Sequence, residues 1–293
     1  MQEAQAKRPA DGAPDDEGLF GPKSVTWQLH ADPIMWIAGV RALYLQALHP
    51  RTLRGVVQNS NFREDPWGRL FRTAAFVGTT TYGTRAEAEQ FGARVRRIHR
   101  SLKAVDPETG ESYRIDEPEL LRWVHCAEVA SYAEVIRRAG FPLTEDQVDT
   151  YYREQQASAV LVGLAPEDVP ASREAMRVYF DEVRPELGRS AEADDVWDFL
   201  RRPPVHPALW LGRELIWRQF AELAYGSLPS WAHDMYGHRP LPPVAVTLGL
   251  HGWRTSASVV LPLVRPVFQS PHIKAAVERL GPEAAPSASR LAA

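Results

Sequence analysis

Two histidines within helical patterns are the side chains of this sequence best suited to binding a metal or a prosthetic group. His99 lies beside Val95 and Leu102 on the apolar stripe of one predicted helix, and His125 lies in the same way beside Leu121 on another. A neutral imidazole can donate a ring nitrogen to a metal. The ordinary alternative for each is a core histidine satisfied by one hydrogen bond, and the spacing leaves both interpretations open.

An arginine and a threonine in the segment 68–73 (GRLFRT) form a second candidate. Arg69 and Thr73 are four residues apart, so on a helix they share a face and place a cation beside a hydroxyl. Such a pair can hold the carboxylate of a bound group or polarise a bound oxygen molecule. The alternative is a solvated arginine next to a threonine that hydrogen-bonds back to its own helix.

Several enzyme classes are excluded by missing motifs. The sequence contains no G-x-S-x-G, G-x-x-x-x-G-K-[ST], H-E-x-x-H or G-x-G-x-x-G pattern. It also contains no Glu-x-x-His, which a di-iron bundle needs on two helices. The single cysteine, Cys126, excludes an internal disulfide and cysteine-rich zinc sites, and it fits a reducing compartment.

Helix start and stop signals predict an all-α fold, a single multi-helix bundle, that must position these residues. Asp32-Pro33 starts a helix that closes at His49-Pro50, and capping boxes at 84–87, 116–119 and 144–147 start three more. Further helices are expected near 170–183, 207–225 and 242–264. No alternating apolar and polar run is long enough to predict a strand.

The predicted organisation is one helical domain, residues 25–280, between disordered tails at 1–24 and 281–293 that are rich in alanine, proline and polar residues. Net charge is −3, with 34 basic and 37 acidic residues, and the arginines are scattered, so no nucleic-acid partner is expected. The N-terminal stretch lacks the apolar segment of a secretory signal, which together with the lone cysteine predicts a cytoplasmic protein.

One apolar stretch, Val244–Val264, raises the question of a membrane span. His251 and Arg254 lie near its middle, and a charged residue at the centre of a span costs a few kcal/mol, so a buried or surface-docked helix is expected instead. Membrane contact stays possible without a span.

Five short segments occur in an order that resembles the rubber oxygenases (latex-clearing proteins) and the MpaB-type oxygenases. They are 39–50 (GVRALYLQALHP), 61–70 (NFREDPWGRL), 80–84 (TTYGT), 98–100 (IHR) and 120–125 (LLRWVH). The ordered set is more specific than any one segment, and the resemblance covers roughly residues 30–230. It implies a helical bundle that holds one b-type haem and oxidises a substrate with dioxygen or peroxide.

The resemblance also implies roles for individual residues. His99 matches the histidine that binds the iron, Arg69 and Thr73 match a pair on the opposite, distal side of the haem, and His125 matches a second histidine with a supporting role. Arg72 stands where the rubber oxygenase has a lysine able to bind the iron. A guanidinium offers no lone pair, so the distal position is expected to be open or water-bound, with Arg72 turned to a propionate or to solvent.

The segment 54–61 (RGVVQNSN) contains no carboxylate in place of the glutamate proposed as base in rubber cleavage, so cleavage of polyisoprene is not expected. The sequence therefore predicts a haem-b-dependent oxygenase or peroxygenase, a monomer or homodimer, that acts on an apolar small molecule. The alternative is a helical protein that binds haem or a lipid-like ligand without turning it over. A third interpretation is a metal-free lyase or transferase of the same shape.

Overall fold

The chain folds almost entirely into helices in the computed structural model, which describes residues 16–268 and 270–291. The predicted all-α class is confirmed. The helices are α1 (Val25–Leu29), α2 (Met35–Gln46), α3 (Pro50–Asn59), α4 (Pro66–Tyr82), α5 (Arg85–Ser101), α6 (Pro118–Arg138), α7 (Glu145–Val162), α8 (Arg173–Val183), α9 (Ala191–Arg201), α10 (Trp210–Gly212), α11 (Arg218–Gly226), α12 (Ser230–Tyr236), α13 (Pro243–Phe268) and α14 (Pro271–Leu280).

A small antiparallel hairpin, which the sequence did not predict, joins α5 to α6. Its strands are β1 (Lys103–Val105) and β2 (Ser112–Arg114), and Ala104 lies opposite Tyr113. Each strand has only three residues, too few for an alternating pattern to be recognised.

The centre of the molecule is the contact between α2 and α6. Arg41 of α2 is buried there, and its guanidinium donates to the Ser131 hydroxyl at 2.7 Å and to the Ser227 carbonyl at 3.1 Å. Burial lowers the pKa of Arg41 to about 10. Cys126 lies in the same core, and burial raises the pKa of its thiol to about 12. The helix that carries His125 is thus fixed by the best-packed part of the fold.

Two of the three predicted capping boxes form. At α5 the Thr84 hydroxyl accepts from the Glu87 N–H at 3.2 Å and the Glu87 carboxylate accepts from the Thr84 N–H at 2.8 Å. Thr144 and Gln147 make the same pair of bonds at the start of α7.

The third predicted box, residues 116–119, was wrong. The Asp116 carboxylate is bound by the Arg114 guanidinium at 2.7 Å, and α6 begins at Pro118 without a side-chain cap. An ion pair across the end of β2 therefore replaces the cap.

Residues 281–291, within the segment that composition predicts as a tail, form two 3-10 turns, Pro282–Ala284 and Ala288–Leu291. The Trp27 indole N–H donates to the Ala284 carbonyl at 2.9 Å, and the Gln147 amide donates to the Leu291 carbonyl at 2.6 Å. These partners are more than a hundred residues away in sequence, where no local pattern indicates them. Residues 1–15 and 292–293 of the predicted tails lie outside the described residues.

The long helix α13 contains the apolar stretch that sequence reasoning weighed as a membrane span. Within the described ranges, no helix combines the length and the apolar character that crossing a bilayer requires. Arg254 of α13 instead donates to the Asp32 carboxylate at 2.8 Å and to the Gly140 carbonyl at 3.0 Å. These bonds dock α13 on the body of the domain.

Candidate functional site

The register of the α4–α5 hairpin brings two of the predicted site residues to one level. The two helices run antiparallel through the turn at Gly83, and the rings of Phe76 and Phe91 meet edge to face with centroids 5.4 Å apart. Arg69 precedes Phe76 by seven residues and His99 follows Phe91 by eight. At 1.5 Å per residue, both lie about 11 Å beyond this aromatic contact, on neighbouring helices.

His99 offers an unsatisfied nitrogen at this level. Its Nδ1 atom is buried and has no hydrogen-bond partner within the part of the chain that the structure describes. Burial lowers the pKa of His99, although the nearby Asp116 carboxylate acts in the opposite direction. The lowered pKa favours the neutral form of the ring, which is the form that binds metals. A core histidine satisfied at every nitrogen would not look like this.

Arg69 is a half-buried cation without an acidic partner among the described residues. Burial lowers the pKa of its guanidinium, and the neighbouring positive charge of Arg72 acts in the same direction. The guanidinium makes a cation–π contact with the Phe62 ring, whose centroid lies 5.7 Å from the guanidinium carbon. An unpaired charge taken out of water is costly, so this side chain is suited to receive an anionic group.

Thr73 and Arg72, which the sequence grouped with Arg69, are exposed on α4. The Thr73 hydroxyl donates to the Arg69 carbonyl at 3.2 Å, the bond back to its own helix that spacing had left open. Arg72 pairs with the Asp65 carboxylate at 3.1 Å. Thr73 is thus bonded to its own helix and Arg72 is paired with Asp65, and their predicted roles at a cofactor stay predictions.

His125 lies on a face of α6 that also carries Glu128 and Tyr132, three and seven residues further along. Burial lowers the pKa of His125 to about 4 and raises that of Glu128 to about 7, while a hydrogen bond with the Tyr132 hydroxyl partly offsets the shift of Glu128. Both side chains nevertheless keep accessible surface.

A neutral polar chain joins this face to the neighbouring helices. One ring nitrogen of His30 lies 2.8 Å from the Thr81 hydroxyl of α4, and the other lies 3.1 Å from the Tyr151 hydroxyl of α7. The His30 ring also packs edge-on against Tyr132 of α6, with centroids 5.4 Å apart. Burial lowers the pKa of His30 to about 3, so the ring stays uncharged.

Sequence reasoning missed Glu128, Tyr132 and His30. The first two could have been found, because they repeat at helical spacing after His125 on one face of α6. His30 gave no such signal, since its two partners lie 51 and 121 residues away.

The helices that carry these groups are connected by a series of helix contacts. α4 packs on α5, α5 on α7 and α7 on α6, while α1 contacts both α4 and α7. Arg69 and His99 lie on the first pair and His125 lies on α6. Asp116, just before α6, lies close enough to His99 to oppose the lowering of its pKa.

A surface pocket of about 400 Å³ lies elsewhere, lined by charged groups that include Glu119, Arg122 and Glu186. None of the predicted site residues lines it. This pocket is therefore separate from the candidate site.

Haem is the cofactor that the sequence resemblance implies, and the residues present fit it. Four of the iron ligands belong to the porphyrin, so the protein has to supply only one or two. The unsatisfied neutral imidazole of His99 suits that position, and the unpaired Arg69 suits a propionate carboxylate. No group of three histidine, cysteine, aspartate or glutamate side chains converges as an all-protein metal-ion site in the described ranges.

Comparison with known proteins gives one match. A family model described as "ER-bound oxygenase mpaB/B'/Rubber oxygenase, catalytic domain" matches residues 27–260, most of the chain. The match includes every candidate site residue and extends beyond residue 230, the approximate end of the resemblance seen in the sequence. No curated protein and no solved structure matches.

Proposed function

The chain belongs to the family of the MpaB and rubber oxygenase catalytic domain, an oxygenase family, and from this premise we propose that it is a haem-b-dependent oxygenase or peroxygenase with His99 as the iron ligand. We propose an apolar small molecule as its substrate and dioxygen or peroxide as its oxidant. Cytoplasmic location belongs to the same proposal and is supported by the single cysteine.

One observation carries this proposal. The unsatisfied imidazole of His99 and the unpaired, half-buried guanidinium of Arg69 lie at the same level of the α4–α5 hairpin. A haem presents an iron that needs a nitrogen ligand and propionates that need cations. A haem therefore offers a partner both for the imidazole of His99 and for the charge of Arg69.

When bound, a haem supplies the oxidising chemistry with dioxygen or peroxide. The protein would contribute binding, orientation and electrostatics. His99 would hold the iron, and Arg69 would place a fixed positive charge against a propionate or against negative charge that develops on the reacting oxygen. On the α6 side, Glu128 can take up or release a proton near pH 7, because burial raises the pKa of its carboxyl to about 7.

The test is haem loading of protein produced with haem supplied. We expect about one b-type haem per chain by pyridine haemochrome assay, extractable with acid acetone because no C-x-x-C-H is present. The His99→Ala variant should lose the native Soret spectrum. The His125→Ala variant should keep the spectral type and bind haem about 10–100-fold more weakly, as expected of a supporting residue.

His206→Ala is the matched control, because His206 is exposed and its ring accepts a hydrogen bond from the nearby Ala208 N–H. It should load like the parent protein. Colourless preparations that bind added haemin no better than albumin does would refute the haem proposal. A Soret band lost in His125→Ala and kept in His99→Ala would exchange the two assignments.

A further inference from the structure

An exposed apolar surface lies between α9 and α11. It consists of five large side chains, each more than half exposed, from 54% for Trp210 to 62% for Leu209: Leu209, Trp210, Leu211, Leu215 and Ile216. We call it the 209–216 surface. Single exposed apolar residues are normal on proteins, whereas five large ones within eight residues are typical of a contact site for another molecule.

The backbone beneath this surface is anchored. Trp217, at the end of the π-helical turn Arg213–Trp217, donates from its indole N–H to the Leu200 carbonyl at 2.8 Å. Its ring meets Trp67 of α4 edge to face, with centroids 4.9 Å apart, and stacks on Phe220 of α11 at 5.6 Å. One aromatic side chain therefore holds the segment down while its neighbours Leu215 and Ile216 face outward.

The charges around the surface are mostly positive. From Arg201 to Arg218 inclusive the chain carries four arginines and one acidic residue, Glu214, and Arg201 is also paired with Glu222 of α11. The Glu214 carboxylate is already shared by Arg213 at 2.8 Å and Arg218 at 3.8 Å. Arg202 is exposed at the end of α9. Large apolar side chains, a tryptophan and a basic rim are the combination that binds anionic lipid surfaces.

We propose that the 209–216 surface docks the protein on a bilayer that contains anionic lipids. Leucine, isoleucine and tryptophan side chains would enter the boundary between headgroups and acyl chains, and the arginines would meet lipid phosphates and carboxylates. A second copy of the chain is a poorer occupant, because a symmetric interface would bring the same positive rim against itself.

The surface adjoins the helix that carries Arg69. Trp67, which contacts Trp217, lies two residues before Arg69 on α4, and its indole N–H donates to the Pro204 carbonyl at 3.1 Å. One turn further along α4, the exposed Phe71 ring packs edge-on against the exposed Trp36 ring. If the proposed function holds, an apolar substrate dissolved in the bilayer would arrive beside the site; lipid docking itself does not depend on haem.

Vesicle flotation tests the proposal with the full chain. We expect the protein to float with phosphatidylcholine vesicles that contain phosphatidylserine, to float less with phosphatidylcholine alone, and to be released by salt, which screens exposed charges. The double variant Trp210→Asp/Leu215→Asp should bind about a hundredfold more weakly, because two large side chains no longer enter the lipid. Arg202→Glu should weaken binding to the anionic vesicles only.

The matched control is Val160→Asp/Val178→Asp, which changes two exposed apolar residues on α7 and α8. It should bind like the parent protein. Three results would overturn the proposal: no flotation of the parent chain, equal loss in both double variants, or a parent dimer that the Trp210→Asp/Leu215→Asp change dissociates in light scattering. A lower melting temperature of that variant would also count against it, since it would mean that the surface is covered within the chain.

Haem loading is measured on the same preparations. The His99→Ala variant should bind vesicles like the parent whether or not it retains haem. Failure of lipid binding and failure of the haem proposal are thereby distinguishable.

Discussion

Arg69 and Arg72 are three residues apart on α4 and have opposite surroundings. Arg72 is exposed and paired with Asp65, whereas Arg69 is half-buried and faces no carboxylate among the described residues. Only Arg69 therefore has a charge that a bound anion can compensate. The pair therefore supplies both a functional variant and its control.

Replacing Arg69 with alanine is expected to lower turnover with dioxygen or peroxide about 10²–10³-fold while most haem is retained, because a fixed cation stabilises developing charge more than it holds the cofactor. Arg72→Ala should stay near parent activity, since it removes one exposed ion pair. Steady-state rates normalised to haem content measure both. A fully active Arg69→Ala protein would place this arginine outside the site.

Glu128 should make stability depend on pH. Burial raises the pKa of its carboxyl from 4.5 to about 7, so between these values the folded protein holds a proton that the unfolded chain has lost. The free energy of unfolding therefore falls as pH rises through this range, by up to about 3 kcal/mol from this group. Glu128→Gln, which cannot ionise, should gain stability relative to the parent between about pH 5 and about pH 8.

Urea unfolding of both proteins at the two pH values measures this difference. The contributions of the other titrating groups, including His125, are common to both proteins and cancel. His125 acts in the opposite sense: burial lowers its pKa to about 4, so its contribution is lost as pH falls below about 6.5. Parallel pH dependences for the parent and Glu128→Gln would show that this carboxyl is not desolvated in solution.

The sequence identifies site residues by spacing and does not identify their surroundings. His99, His125 and Arg69 were selected from helical positions and from the order of family-like segments. That Asp65 pairs with Arg72 rather than with Arg69 depends on a helix start and a side-chain rotamer. The place of His30 between Thr81 and Tyr151 depends on three helices meeting, which one sequence does not encode locally.

At the scale of elements, α5 and α7 approach closely because Gly92 has no side chain. A Cβ atom there would lie 2.7 Å from the Leu161 carbonyl oxygen. Gly92→Ala is expected to destabilise the protein by about 1–3 kcal/mol, the usual cost of overpacking. It should also weaken haem binding, because His99 lies two turns further along the displaced helix.

Gly39→Ala is the matched control, since a Cβ at Gly39 of α2 would meet nothing within 4 Å. Alanine is the better helix former, so this variant should gain about 0.5–1 kcal/mol. Urea unfolding midpoints measure both changes. Equal effects of the two substitutions would mean that the α5–α7 contact is looser than the structure has it.

Helix existence was predictable here and helix starts were less so. The threonine boxes of α5 and α7 are local, and both formed. At α6 the Asp116 carboxylate pairs with Arg114, two residues before it, instead of capping the helix. Local patterns therefore fail where a charged group has a choice of partners.

For the molecule as a whole, the N-terminal helix and the C-terminal turns stabilise each other. The N–H groups of Val25 and Thr26 in α1 donate to the Glu154 carboxylate at 3.1 and 2.8 Å. Trp27 is buried between the Tyr82 ring and the Ala284 carbonyl, and the Tyr82 hydroxyl donates to the Trp27 carbonyl at 2.9 Å. The end of α4 is thus held by both ends of the described chain.

Truncation after Leu280 should therefore lower the melting temperature by about 5 °C or more, since it exposes Trp27, whose burial contributes about 2–3 kcal/mol. Trp27→Phe, which loses the indole N–H and keeps most of the ring, should cost about 1 kcal/mol. Thermal unfolding followed by circular dichroism measures both. An unchanged melting temperature after truncation would show that the C-terminal turns do not pack on α1 in solution.

The buried cysteine of the α2–α6 core has a practical consequence. The thiolate is the form that reacts with alkylating and oxidising agents, and with a pKa of about 12 the Cys126 thiol is almost never ionised while the core is closed. Modification therefore has to wait until α2 and α6 separate. The rate at which an added thiol reagent labels the Cys126 thiol therefore measures how often the centre of the molecule opens.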